Sequence, residues 1–163
     1  MHRHCGSAHG WARHRGIEAQ WAQAFAVWTL QGSAMLLQAE RQGSQLAGVN
    51  GQRPVNVPRT SLRLGTEYRP PALPGLAVQA GFTAEGNRVV LPYDSGVTIP
   101  GWQRWDLGLR WRQSWSGNEL VWRLAVDNLS DRRAWKESPY QFGHVYLYPQ
   151  VPRTVRASVQ AQF

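Results

Sequence analysis

The last ten residues alternate without a break. Val155, Ala157, Val159, Ala161 and Phe163 are separated by Thr154, Arg156, Ser158, Gln160 and Gln162. A period of two sends these two sets to opposite faces of an extended strand. One face is therefore apolar and the other polar up to the final residue, a pattern that suits a strand between two different solvents.

The same split recurs upstream. In 102–112, Trp105, Leu107, Leu109 and Trp111 oppose Arg104, Asp106, Gly108, Arg110 and Arg112. In 119–129, Leu120, Trp122, Leu124 and Val126 oppose Arg123, Ala125 and Asp127. Residues 75–86 and 60–69 repeat it around Leu76–Ala84 and Leu62–Tyr68. Two further strands are expected at 27–40 and 16–22. The first has a rival reading, because Ala-Met-Leu-Leu-Gln-Ala-Glu-Arg contains good helix formers. The alternation from Trp28 to Ser33 and the mid-run Gly32 favour a strand.

The connections alternate in length. Those at 23–26, 70–74 and 114–117 are tight, whereas 42–57, 90–100 and 130–152 are long and rich in Pro, Gly, Asn and Tyr. Short turns on one side and long loops on the other describe an outer-membrane β-barrel. No apolar run reaches the roughly 18 residues of a transmembrane helix. Trp is abundant, nine against four Phe. It falls near strand ends at Trp28, Trp102, Trp105, Trp111, Trp115 and Trp122, where an aromatic girdle would sit.

A soluble antiparallel sheet with one buried face is the plain competitor. Arginine placement weighs against it. Slipping 102–112 by one residue would turn Arg104, Arg110 and Arg112 to lipid, at about 2–4 kcal/mol each near the midplane. These arginines are therefore assigned to a wet lumen, where Asp106, Asp127 and Glu85 are available as cross-strand partners. The formal net charge of +8 is then lumenal, which argues against a nucleic-acid partner.

Several segments resemble a known family. Val126-Asp127-Asn128-Leu129-Ser130-Asp131 is similar to the V-x-N-L-x-D segment that precedes the last extracellular loop of TonB-dependent siderophore receptors. Residues 152–163, with Pro152-Arg153 at the start and Phe163 at the end, resemble their final strand. Pro58-Arg59-Thr60-Ser61-Leu62 is similar to an earlier strand start. The resemblance covers residues 16–163 and departs at Val151, Ala134 and Trp135. It implies an all-β fold, an antiparallel meander of about seven strands forming a curved partial sheet of a transmembrane β-barrel that has about 22 strands in full.

By that resemblance the chain is expected to be a C-terminal fragment of a receptor for ferric-siderophore uptake in the outer membrane, not transport-competent alone. It is expected not to be an enzyme and to hold no cofactor, the ferric siderophore being transported ligand. Outer-membrane lipid, the barrel-assembly machinery and, in full-length relatives, TonB are the implied partners. Phe163 is the implied assembly signal. Residues 1–15 resemble neither a barrel strand nor a secretory leader, so they are expected to be a disordered segment outside the barrel. A non-functional gene remnant, a small self-contained barrel or pore and a soluble basic binding protein stay open as alternatives.

No catalytic constellation is visible. Cys5 is the sole cysteine, and His2, His4, His9 and His14 have metal-compatible spacing without further donors. Ligand contact is sought in the long loops and at the lumen mouth. The candidates are Tyr93, Trp135, Tyr140, His144 and Tyr146, with Phe142 and Tyr148 beside them, and Arg104 and Arg110 on the wall. The family binds ferric chelates through aromatic and Arg side chains; the plainer reading is that these residues pack the loops.

Overall fold

Seven long strands pair in one antiparallel meander. A computed structural model describes residues 10–162. The strands are β1 (Trp11–Phe25), β2 (Trp28–Gln42), β3 (Thr60–Tyr68), β4 (Leu76–Glu85), β7 (Trp102–Trp115), β8 (Asn118–Asp127) and β13 (Thr154–Gln162). They lie in the order β1-β2-β3-β4-β7-β8-β13. Among the described residues there is no α-helix, only a 3-10 turn at Ala47–Val49. The segment 27–40 is thus strand throughout, and cross-strand pairing overrides the helix-forming residues at its centre.

The connections alternate as expected. Ala26-Val27, residues 69–75 and Ser116-Gly117 join strands on one side. Ser116 and Gly117 have φ of 51° and 83°, the two positive values of a type I′ hairpin turn. The long connections on the other side contain short ladders that period-two alternation did not reveal. The β5 (Arg88–Leu91) and β6 (Asp94–Ile99) strands pair within the second. In the third, β9 (Trp135–Glu137) pairs with β12 (Tyr148–Pro149), and β10 (Tyr140–Gln141) with β11 (His144–Val145). Segments of two to six residues are too short to display a period.

Three expectations need correction. Residues 11–15 are not outside the barrel: β1 starts at Trp11, and every residue to Phe25 pairs with β2 from Gln42 to Trp28. Alternation fails there because Arg13 and Arg15 share a face with Ile17 and Trp21. Ten residues span a band about 25 Å tall at the usual rise and tilt, so the outer five of a 15-residue strand stand clear of it. Their pairing with β2 continues there without a break. The second correction is Trp102. It belongs to the polar face, opposite Glu85, and is buried where the long connections pack, so it is no part of a girdle. Residues 128–129 likewise leave the strand at Asp127. Phe163, Cys5, His2, His4 and His9 lie outside the described residues.

The register keeps all apolar sets on one face. Trp105 lies opposite Phe82, and Phe82 opposite Leu64. Leu109 lies opposite both Val78 and Leu124. Aromatic pairs mark both ends of this face: Trp28 and Tyr68 near the short turns, with ring centroids 4.4 Å apart, and Phe82 and Trp105 further out, at 4.5 Å. Nothing among the described residues covers it. Ile17 is 73% exposed, Val155 65% and Trp115 64%. A soluble sandwich would bury these side chains; here they call for an apolar solvent. The tightly packed residues Val89, Val90, Ile99 and Trp102 belong instead to the long connections and the outer end of β7.

Candidate functional site: the polar wall and the outer loops

The polar face is concave. One cavity of about 1080 Å³ is lined by residues of every long strand, from Gln20 on β1 to Arg156 on β13. Its floor is low because small residues meet across strands. Gly65 faces Gly81, and Gly108 faces Ala125. A Cβ added at Gly81 would meet Asp106 at an ordinary 3.7 Å, whereas at Gly65 and Gly108 it would press on the Gln31 and Gln79 side chains at 3.0 and 3.1 Å.

Charged groups stand around that floor in pairs. Arg104 meets Asp106 at 2.9 Å, Arg156 meets Asp127 at 2.8 Å and Arg63 meets Glu85 at 3.3 Å. Glu67 gathers three partners: Arg69 and the Gln79 amide, each at 2.7 Å, and Arg110 at 3.5 Å. Arg112 reaches Glu119 only at 4.0 Å. Arg123 donates to the neutral Gln160 at 3.2 Å and lies directly opposite Arg110. Arg63, Arg156 and Arg112 are more than half exposed, so their pairs contribute little stability. Their effect is to make the wall polar and wettable. The expected cross-strand partners are mostly not the ones used: Arg104 pairs with Asp106 along its own strand, Arg110 and Arg112 reach Glu67 and Glu119 across strands, and Asp127 and Glu85 pair with Arg156 and Arg63 instead.

The outer connections are held by side-chain amides and carboxylates. Asn128 is 1% exposed. Its Oδ1 accepts the Arg132 N–H at 2.9 Å, and its Nδ2 donates to the Arg132 and Val151 carbonyls at 3.1 and 2.9 Å. Its backbone N–H donates to Asp106 Oδ1 at 2.8 Å. Three residues on, Asp131 Oδ1 accepts the Arg153 N–H at 2.9 Å. The N-L-x-D segment is thus a clasp that joins the two ends of the 128–153 connection above β8 and β13. Asn128 and Asp131 have φ of 53° and 50°, a region that Asn and Asp enter more readily than other side chains. In the first connection, the Arg53 guanidinium donates to the Val57 and Asn87 carbonyls. Burial, with Arg59 nearby, lowers its pKa from the ordinary value.

The anticipated ligand residues fall into three groups. Trp135, Tyr140 and His144 lie in the nested ladders of 135–149 and Tyr146 between them, with His144 and Tyr146 exposed and Tyr140 half-buried. Phe142, at the tip with φ 51°, is 91% exposed. Tyr93 sits at the turn of the β5–β6 hairpin beside Gly48. Arg104 and Arg110 lie on the wall of β7, six residues and about 20 Å apart, each engaged with a carboxylate. The aromatic residues of 135–149 form one group, and the two arginines do not join it. Among the described residues no cluster of three or more His, Cys, Asp or Glu side chains could hold a metal.

An open antiparallel wall with one apolar face, one wet face, short turns and long loops defines a transmembrane β-barrel segment. Comparison with known proteins agrees. The model of the TonB dependent receptor-like β-barrel family matches residues 7–129, and the chain belongs to that family. It is similar to the ferrichrome receptor FcuA of Yersinia enterocolitica, 28% identical over 156 residues that are 95% of this chain and 20% of the relative. In structure it resembles the ferric preacinetobactin receptor BauA of Acinetobacter baumannii, with a TM-score of 0.84 and 24% identity over 96% of this chain and 23% of that one. The ferric yersiniabactin uptake receptor FyuA of Yersinia pestis gives 0.75 and 20% over 95% and 24%. These structural likenesses are of fold. The chain spans about a fifth to a quarter of the length of these relatives, which are receptors and not enzymes.

Proposed function

We propose that this chain forms an arc of the barrel wall of an outer-membrane receptor for ferric-siderophore uptake, and that it needs the remaining strands for transport. The observation that carries the reading is the state of the sheet edges. Among the described residues, β1 pairs only with β2, and β13 only with β8. Lipid offers no hydrogen bonds to the free edges of two membrane-length strands, and each unsatisfied group costs several kcal/mol there. Further strands must therefore pair with β1 and β13 before the apolar face can meet lipid. The siderophore class is carried over from the named relatives, and the exposed aromatic residues of 135–149 are the ligand contacts consistent with it. TonB would act on the completed receptor, and outer-membrane lipid would cover the Trp-edged apolar face.

The test is complementation in a strain that lacks its ferrichrome receptor. The chain alone should give no ferrichrome-dependent growth and no heat-modifiable band on a gel. Substituted for the matching fifth of the Yersinia relative, it should give both. A heat-modifiable, conducting species formed by the chain alone would replace this reading with a self-contained pore. A chimera that assembles without restoring uptake would remove the siderophore assignment and leave the barrel standing.

A further inference from the structure

We infer that Asn56 is a positioning residue that locks the three outer connections into one preassembled cap. It lies in the first connection, between β2 and β3. Its backbone N–H donates to the Val89 carbonyl at 3.0 Å, in the second connection. Its Oδ1 accepts the Ser138 N–H at 2.8 Å, in the third. The same oxygen accepts Arg88 Nη1 at 3.3 Å, and Arg88 also donates to the Asn56 carbonyl. The other terminal nitrogen of Arg88 pairs with Glu85 at the end of β4, which ties the junction to the sheet. Ser138 Oγ completes it by donating to the Val89 carbonyl at 3.4 Å.

Burial makes the junction consequential. Val89 and Ser138 have no exposed surface and Arg88 is 8% exposed. A backbone N–H sealed from water at Ser138 needs an acceptor, and Asn56 Oδ1 is the one supplied. Asn56 also has φ 62°, where glycine, asparagine and aspartate are the tolerated residues. Of these, glycine offers no acceptor.

The position of Ser138 gives the junction its role. It stands between β9, with Trp135, and the β10–β11 hairpin, with Tyr140 and His144. Anchoring Ser138 therefore fixes the base of the aromatic hairpin against the first two connections. The hairpin is presented in one orientation instead of being ordered by whatever it binds. That this surface meets a ferric siderophore rests on the function proposed above; the lock itself does not.

Hydrogen exchange of the chimera described above, in detergent micelles and read by mass spectrometry, tests the lock. Asn56→Gly keeps the backbone conformation and deletes the acceptor. Asn56→Asp keeps both. Exchange across 136–141 should rise about tenfold in the glycine variant, the effect of losing the acceptor of the Ser138 N–H, and remain near wild type in the aspartate variant. The strands β1–β4, β7, β8 and β13 should not change in either. Unaltered exchange in Asn56→Gly would overturn the proposal. So would equal damage from aspartate, or loosening that spreads through the sheet. Ferrichrome titration of the wild-type chimera, followed by Trp quenching, is a separate arm. Absence of quenching there counts against the siderophore reading and leaves the exchange result to decide the lock.

Discussion

Replacing Asn128 by alanine should open the 128–153 connection at its base. The side chain is 1% exposed and makes three hydrogen bonds to backbone groups, two at Arg132 and one at Val151. Each is worth about 1 kcal/mol net. Arg132 and Val151 are themselves exposed, so water can satisfy their groups once the clasp opens. The loss therefore stays near that net value, about 3 kcal/mol together. Alanine at φ 53° adds about 1 kcal/mol of backbone strain. Asn128→Gly removes the second contribution and keeps the first. Urea titration of the chimera in lipid vesicles, followed by Trp fluorescence, measures the stability. Trypsin reports the opening locally, because Arg132, Arg133 and Lys136 lie beside the clasp. Both variants should lose most of the predicted stability and be cut there faster. Wild-type stability in Asn128→Gly would refute the reasoning, since Asn128 would then serve only to accommodate its φ.

Three further outcomes follow from the two faces and the turns. Leu109→Arg, at the apolar centre opposite Val78 and Leu124, should cost about 2–4 kcal/mol in bilayers, whereas Gln162→Arg on the polar face, opposite Glu119, should cost little; the same urea titration compares them. Gly75→Ala should be far worse than Gly51→Ala. Both have positive φ, 85° and 77°, but only at Gly75 would a Cβ strike backbone, 2.2 Å from the Arg112 carbonyl oxygen; the yield of the heat-modifiable form reads the difference. A double-mutant cycle on Arg156 and Asp127 should find a coupling under about 1 kcal/mol, because Arg156 is 66% exposed. The residual coupling should weaken further as salt is raised.

The sheet was legible in the sequence because its two solvents impose a period of two. Leu107, Leu109 and Trp111 could face lipid only if Asp106, Gly108 and Arg110 faced water, and each strand repeats that constraint. Where one solvent bathes both faces the signal vanishes. That is why β1 was expected to begin at residue 16: Trp11, Arg13 and Arg15 stand beyond the apolar band, and backbone pairing with β2 leaves no mark on residue type. Trp102 misled for a related reason. A tryptophan near a strand end suits a girdle, and only the parity of 102 with Arg104 and Asp106 places it on the wet face, where packed connections then bury it.

The loops were legible in composition but not in structure, and the reason is the kind of bond that holds them. Asn56 joins residues 32 and 82 positions away, and Asn128 reaches Val151 across 23. Such contacts have no period and no local motif. A single asparagine in a loop reads as a turn former, which these two also are, since each occupies positive φ. The V-x-N-L-x-D pattern was recognisable, but its chemistry emerges only when Arg132, Val151 and Arg153 are placed around it. The two asparagines divide the work. Asn128 closes the last connection upon the sheet, and Asn56 fastens that connection to the other two. If ligand contact belongs to the exposed aromatics of 135–149, its geometry is then set by residues that contact no ligand. On the function proposed above, substitutions at the exposed His144 or Tyr146 would change what is bound, while substitutions at Asn56 or Asn128 would change how well the binding surface is held.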